Sequence, residues 1–202
     1  MNWIAEASPR LKARMAGVLY FFSLLTAAFA ETFVRGRLNY AGGYVAIAGM
    51  GATTLIVYSI LKPVNRGIAS LAASFAFVGL AFEALRWQPQ GLNVALVFHG
   101  FYCLLIGYLI LRSTFLPRIL GALMALTGLG WLTYLSNPLV NYLSPYNLAS
   151  GLLGDVSVFL WLLVMGVNVQ RWEERASAAE IGIRGAAHPL DPTALPVKGR
   201  SV

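Results

Sequence analysis

Long apolar stretches separated by short polar breaks dominate the chain. Six of them occur, over residues 16–34, 42–61, 67–87, 91–111, 119–135 and 149–169. Each is apolar all round rather than along one stripe, which is typical of a helix surrounded by lipid or by other helices. A helix of about 20 residues rises about 30 Å, the thickness of the hydrocarbon core. The pattern therefore predicts an all-α fold, a polytopic transmembrane helical bundle with six spans.

The breaks between the stretches contain turn formers and interfacial aromatics. Residues 62–66 (Lys-Pro-Val-Asn-Arg) end the second stretch, and residues 88–91 (Gln-Pro-Gln-Gly) end the third. Pro117 stands before the fifth, where a proline costs no helical hydrogen bond. The longest predicted loop, residues 136–147, combines two prolines with two tyrosines. That composition is expected where a chain turns at a membrane surface.

Composition supports the same class of protein. The chain of 202 residues is 58% hydrophobic and 11% charged, whereas soluble domains are about 25% charged. Its net charge of +7 does not predict nucleic-acid binding, because the cations flank apolar stretches instead of covering a solvated face. The expected partner is the lipid bilayer, whose anionic headgroups attract cations at this position.

The distribution of the cations predicts the orientation. If there are six spans, most cations near the span ends lie on one side: Arg10, Lys12, Arg14, Lys62, Arg66, Arg112, Arg118, Arg171 and Arg175. The other side has only Arg35, Arg37 and Arg86. Because positive charge is retained in the cytoplasm, both termini are predicted to be cytoplasmic, in a multi-pass protein of the cell (inner) membrane.

These observations divide the chain into three parts. We expect a cytoplasmic N-terminal segment over residues 1–15, a six-helix transmembrane domain over 16–170, and a cytoplasmic, largely disordered tail over 171–202, which is rich in glycine and proline. An alternative for the N-terminus is a cleavable signal peptide, because Lys12 and Arg14 precede an apolar stretch that ends in Ala-Phe-Ala at 28–30. Cleavage there would leave five spans and break the alternation of charge.

Small residues recur inside several stretches, as at 42–43, 49–51, 69–76 and 121–130. They allow helix backbones to approach closely, which is how helices pack where lipid removes the hydrophobic driving force. A compact bundle is therefore expected.

Five ionisable residues fall within or beside the predicted spans, where each costs several kcal/mol and is a candidate functional group. They are Glu31, Arg35, Glu83, His99 and Asp155. In the predicted orientation all five lie in the outer half of the membrane at similar depth. They form the candidate polar site, although no catalytic residue can be named.

Each candidate also has a structural interpretation. Glu31 and Arg35 have the spacing of an intrahelical ion pair. Glu83 and Arg86 could pair near the interface, with their charged groups extended toward the headgroups. His99 and Asp155 have no partner nearby in sequence. A hydrogen bond between them would tie the fourth span to the sixth and satisfy both groups.

Three kinds of chemistry remain open for this set. Carboxylates and one histidine can bind a metal, but no pair of histidines at helical spacing occurs and the second histidine, His188, is in the tail, so neither a metal nor a cofactor is predicted. The set can relay protons, since histidine titrates near neutral pH. It can also orient the polar group of an amphiphile. The single cysteine, Cys103, is interpreted as a small buried hydrophobe.

Several phrases of the sequence together resemble one protein family. They are Ser-Pro-Arg-Leu-Lys-Ala-Arg at 8–14, Phe-Val-Arg-Gly at 33–36, Leu-Lys-Pro-Val-Asn-Arg at 61–66, His-Gly at 99–100, Gly-Tyr-Leu at 107–109, Leu-Pro-Arg-Ile-Leu-Gly at 116–121 and Trp-Leu at 161–162. They resemble bacterial membrane proteins grouped as domain of unknown function 4386. The resemblance implies a small polytopic inner-membrane protein, and it implies no catalytic residues because the family has no assigned activity.

Two functions follow as hypotheses. In the first, the chain is an uncharacterised integral membrane protein that binds an amphiphilic small molecule or a membrane-protein partner at a polar pocket near the outer leaflet. In the second, it is a membrane-embedded enzyme or proton-coupled transporter that uses Glu31, Glu83, His99 and Asp155 for acid-base work. Six spans are few for a transporter built from paired repeats, so a transporter would require a homo-oligomer, whereas enzyme activity remains open.

Overall fold

A computed structural model describes residues 8–89 and 92–187 of the chain. Within these residues the structure contains eight α-helices and no strand. They are α1 (Pro9–Phe33), α2 (Arg37–Leu61), α3 (Arg66–Leu85), α4 (Val94–Arg112), α5 (Arg118–Leu132), α6 (Asn137–Leu143), α7 (Tyr146–Val164) and α8 (Val169–Ala187). A 3-10 turn over Thr133–Leu135 continues α5. Six helices, α1 to α5 and α7, are long and apolar enough to cross a membrane, which confirms the predicted fold class.

Polar side chains in the breaks cap the first turns of α1, α3 and α4. The hydroxyl of Ser8 accepts a hydrogen bond from the backbone N–H of Leu11, and Pro9 follows it at the first helical position. The side chains of Asn65 and Asn93 cap α3 and α4 in the same way. Such caps satisfy backbone donors that have no partner within the helix. They explain why α1 begins at Pro9, ahead of the predicted start at residue 16.

The segment between α5 and α7 differs from the sequence prediction. Residues 136–147 are predicted as a loop, but seven of them form the short helix α6. Pro138 lies in its first turn, where proline is compatible with a helix. The helix α7 then ends at Val164, earlier than the predicted residue 169, because Gly166 adopts a positive φ of 73°. Glycine adopts this left-handed conformation at little cost, and a residue in that conformation ends a helix.

The chain after α7 also differs from its prediction. Residues 169–187 form α8, where the sequence predicts a tail that is largely disordered from residue 171. Two contacts hold the start of α8 against the bundle: the indole N–H of Trp172 donates to the carbonyl of Ile60 over 2.8 Å, and Arg171 donates to the carbonyl of Thr114 over 3.2 Å. Residues 1–7 and 188–202, which include His188, lie outside the described residues.

The six long helices pack as a ring. Helices that are consecutive among them pack against each other, from α1 against α2 through to α5 against α7, and α1 packs against α7 to close the ring. A stacked pair of rings, Tyr20 of α1 and Phe159 of α7 with centroids 4.0 Å apart, lies at this last contact. Every long helix therefore has two long neighbours and one face toward the centre.

The contacts define two ends of the ring. At the first, called the α8 end, Trp172 reaches the last turn of α2 and Arg171 reaches the α4–α5 turn. A groove there is also lined by Arg10 from the start of α1. At the opposite end, called the Glu31 end, the side-chain amide of Asn39 donates to the carbonyl of Ala30 over 2.8 Å. The guanidinium of Arg86 donates to Asn39 there over 2.9 Å.

Glycines allow a close contact between the backbones of α4 and α5. A Cβ placed on Gly107 would lie 2.8 Å from the carbonyl oxygen of Gly121, and one on Gly121 would lie 2.8 Å from that of Gly107. Gly100 and Gly128 face each other in the same way further along, since a Cβ on Gly128 would lie 2.8 Å from the Gly100 oxygen. The two backbones thus touch directly, as the density of small residues predicts.

Candidate functional site

Three side chains contact a buried carboxylate near the centre of the ring. Asp155 on α7 is 1% exposed. Its Oδ2 lies 3.0 Å from Nε2 of His99 and accepts a hydrogen bond from the indole N–H of Trp131 over 3.3 Å. Its Oδ1 accepts from the thiol of Cys103 over 3.7 Å. These four residues, here called the Asp155 cluster, come from α4, α5 and α7.

A cavity of about 250 Å³ lies beside this cluster, and all six long helices contribute to its wall. Most of the lining is apolar, including Leu24, Met50, Leu80 and Phe159. The residues with polar groups in the lining are Tyr20, Thr53, Thr54, Glu83, His99, Tyr102, Trp131 and Asp155. This Asp155 cavity therefore has apolar walls and a few convergent polar groups, the general make-up of small-molecule sites.

A second cavity, of about 320 Å³, adjoins the first on the side of the Glu31 end. Glu31, Tyr40 and Arg86 line it. The two cavities share Glu83, together with Leu24, Met50, Leu80 and Leu96. The cavities thus follow one another from the Glu31 end toward Asp155, with Glu83 between them.

The predicted ion pair between Glu31 and Arg35 is wrong. The helix α1 ends at Phe33, and the backbone is extended at Val34, so Arg35 does not follow Glu31 on the helix surface. Oε1 of Glu31 lies 3.8 Å from Nη2 of Arg86 instead. Because both side chains are largely exposed, this pair contributes little stability in water. Arg35 forms no salt bridge within residues 8–89 and 92–187.

The predicted pair between Glu83 and Arg86 is also wrong. Arg86 ends α3 in the left-handed conformation, with a φ of 50°. Its guanidinium extends to Glu31 and Asn39 and lies 4.2 Å from the ring centroid of Tyr40. The carboxylate of Glu83 consequently has no hydrogen bond or salt bridge to any residue that the structure describes.

His99 and Asp155 are the two candidates that the fold brings into contact. Their hydrogen bond connects α4 to α7, the fourth and sixth spans. Two members of this cluster were not predicted as site residues: Cys103 is interpreted from the sequence as a buried hydrophobe, and Trp131 is not among the candidates. One signal could have identified Cys103: it follows His99 by four residues, and residues at this spacing share a helix face.

Three residues of the cluster have atoms that can ligate a metal. The ligand atoms of His99, Cys103 and Asp155 all lie within 4.8 Å of one another. Trp131 is a donor only and cannot ligate, but it orients the carboxylate. The site can therefore accept a hydrogen-bonding group, exchange a proton between His99 and Asp155, or coordinate a cation.

Comparison with known proteins finds a similarity to one family over part of the chain. Residues 80–166 match the family described as Domain of unknown function (DUF4386). An uncharacterised protein of Archaeoglobus fulgidus is 28% identical over 121 residues, which covers 54% of this chain and 72% of the relative. No solved structure matches the chain. The matched segment contains Glu83 and the whole Asp155 cluster, and the similarity extends to an archaeon. The predicted resemblance to domain of unknown function 4386 is therefore confirmed over residues 80–166.

Proposed function

We propose that this protein is a multi-pass protein of the cell (inner) membrane with both termini in the cytoplasm. The support is the clustering of cations at one end of the ring. Arg10, Lys62, Arg118 and Arg171 lie at or beside helix ends on the α8 end, while the Glu31 end has fewer cations. The rule that positive charge stays inside then assigns the α8 end to the cytoplasm.

Labelling of introduced thiols tests this orientation. We expect Ser144→Cys, in the exposed turn before α7 at the Glu31 end, to react with a membrane-impermeant maleimide on intact cells. Thr114→Cys, exposed in the α4–α5 turn, should react only after the cells are permeabilised. The native Cys103 is fully buried, so the unsubstituted protein is the control and should label little. The reverse labelling pattern would contradict the proposed orientation.

We propose further that the protein binds a small amphiphile in the Asp155 cavity. The observation that carries this proposal is the Glu83 carboxylate, which lines both cavities and has no partner among the described residues. Glu83 is exposed on the long apolar helix α3, and a carboxylate on a helix within a membrane is costly unless something donates hydrogen bonds to it. A ligand with a cationic or hydrogen-bond-donating group satisfies this requirement.

The shape of the cavity limits the ligand further. A volume of about 250 Å³ lies below the about 300–1,000 Å³ of sites for drug-sized ligands. It suits a single short alkyl chain better than a two-chain lipid. The lining residues Leu24, Met50 and Leu80 would contact the chain. We therefore assign the ligand class as a single-chain amphiphile with a protonated amine or another strong donor.

Calorimetry on the protein in nanodiscs of neutral lipid tests the ligand class. We expect decylamine to bind more tightly than decanoate, whose chain is similar but whose head group is repelled by Glu83. The variant Glu83→Gln should lose at least about tenfold in decylamine affinity, because a charge-assisted hydrogen bond contributes about 1.5–3 kcal/mol. Empty nanodiscs correct for partition into the bilayer.

The matched control is Glu174→Gln, which removes a carboxylate from the exposed face of α8 far from the cavity. It should leave decylamine binding unchanged. Equal affinity for the amine and the carboxylate, or an unchanged affinity in Glu83→Gln, would contradict the proposal.

A second candidate function rests on the contact between His99 and Asp155. This pair can exchange a proton, so the protein could be a proton-coupled transporter or a membrane-embedded enzyme. The variant His99→Gln separates the two functions, because a ligand-binding role centred on Glu83 tolerates it, whereas proton exchange does not.

A further inference from the structure

We propose that His99, Cys103 and Asp155 form a binding site for one divalent transition metal ion of the zinc type. The three residues offer an imidazole nitrogen, a thiolate and a carboxylate, which is a ligand set that zinc accepts. The site lies at the end of the Asp155 cavity farther from Glu31. It goes beyond the proposed amphiphile site and does not depend on it, since a metal can bind whether or not the cavity holds a ligand.

The distances between the ligand atoms suit this ion. Bond lengths of about 2.0–2.3 Å around a tetrahedral zinc place its ligand atoms about 3.3–3.8 Å apart. In the structure Nε2 of His99 is 3.0 Å from Oδ2 of Asp155, and Sγ of Cys103 is 3.7 Å from Oδ1. One ligand atom from each of the three groups lies within 4.8 Å of the other two, so the groups must approach one another by up to about 1 Å to coordinate one ion.

The secondary structure makes the arrangement stable without the metal. His99 and Cys103 are four residues apart on α4 and share one face of the helix. Asp155 faces them from α7, next to Gly154, whose backbone N–H donates to the hydroxyl of Thr127 over 2.8 Å. The indole of Trp131 fixes the carboxylate from a third side. Such outer hydrogen bonds commonly orient metal ligands.

The charges also balance. A divalent ion with one thiolate, one carboxylate and a neutral imidazole has no net charge, which suits an interior where an unbalanced charge is costly. The chain supplies three ligands, and catalytic zinc sites likewise have three protein ligands and one open position. Cys103 and Asp155 are almost fully buried, whereas the side chain of His99 is 31% exposed. The open position therefore faces the Asp155 cavity.

Cobalt spectroscopy tests the site in the full chain. The protein is purified in detergent, treated with a chelator and titrated with Co²⁺, followed by competition with Zn²⁺. We expect one Co²⁺ per chain, with tetrahedral visible bands and a thiolate-to-cobalt charge-transfer band, both abolished by Zn²⁺. Cys103→Ser should lose the charge-transfer band, and Asp155→Asn should weaken Co²⁺ binding at least about tenfold. Ser157→Ala, which changes a residue of α7 outside the cavity lining, should give the wild-type spectrum.

The outcomes separate this inference from the amphiphile site. No bound Co²⁺, or Co²⁺ bound without a thiolate band, overturns the metal site whatever decylamine does. The spectrum of the wild-type protein is sufficient to test the metal site, so the test does not depend on whether the variants fold. Cys103→Ser should still prefer decylamine over decanoate, since Cys103 does not line the cavity. A cobalt site in a protein with no amine preference would instead overturn only the amphiphile proposal.

Discussion

Asp155→Ala is expected to lower the free energy of unfolding by about 3 kcal/mol, the low end of the range for breaking a buried charged pair. The substitution removes the acceptor of His99, Trp131 and Cys103 together. The low end applies because the side chain of His99 is 31% exposed, so it is only partly desolvated once its partner is removed. Unfolding in mixed detergent micelles, followed by far-UV circular dichroism with a chelator present, measures the change.

Two further variants show whether the loss comes from the pair. Ser157→Ala, on the same helix, removes a hydroxyl that donates to the carbonyl of Leu153, and it should change stability by less than about 0.5 kcal/mol. The double variant His99→Leu with Asp155→Leu should be more stable than Asp155→Ala, because removing both partners leaves no unpaired polar group in the pair. A double variant no more stable than the single one would show that the contact between α4 and α7 depends on something else.

Gly107→Ala is expected to destabilise the bundle by about 2 kcal/mol. The new methyl group would lie 2.8 Å from the carbonyl oxygen of Gly121 and 2.9 Å from the backbone nitrogen of Ala125, so α4 and α5 must separate. Overpacking typically costs about 1–3 kcal/mol, and the better helix propensity of alanine offsets part of that loss. The same detergent unfolding experiment measures it.

The control for this variant is Gly51→Ala on α2. A Cβ there would meet Phe77 at 3.5 Å, an ordinary contact, so we expect stability to stay the same or rise slightly. Equal effects of the two substitutions would contradict the interpretation that α4 and α5 touch through their backbones.

The spans were predictable because hydrocarbon imposes a length and an apolar composition on every crossing helix. The residues at which the helices begin and end were harder to predict. The early start of α1 depends on the cap at Ser8, and α8 depends on Trp172 reaching Ile60, a contact between residues far apart in sequence. Such a contact cannot be predicted from the local pattern of apolar and polar residues.

Within the candidate site, the sequence could predict only the contact between the two residues that lie deep in the membrane. His99 and Asp155 are deep and lack neighbours of opposite charge in sequence, so their mutual contact follows from the cost of leaving either alone. The partner of Glu31 could not be inferred, because it depends on the end of α1 before Arg35 and on the left-handed backbone of Arg86. Cys103 and Trp131 were missed because their residue types have commoner roles in a core and at an interface.

The closed ring has a consequence for how the protein is made. Helices that are neighbours in the ring are consecutive along the chain except at one place, the contact of α1 with α7. During synthesis each new span can pack on the one before it as it leaves the ribosome. One side of α1 therefore has no helix packed against it until α7 has been synthesised. Because α7 carries Asp155, the step that closes the ring also brings the carboxylate to His99. The newly made protein therefore acquires its polar centre at the same moment as its final shape.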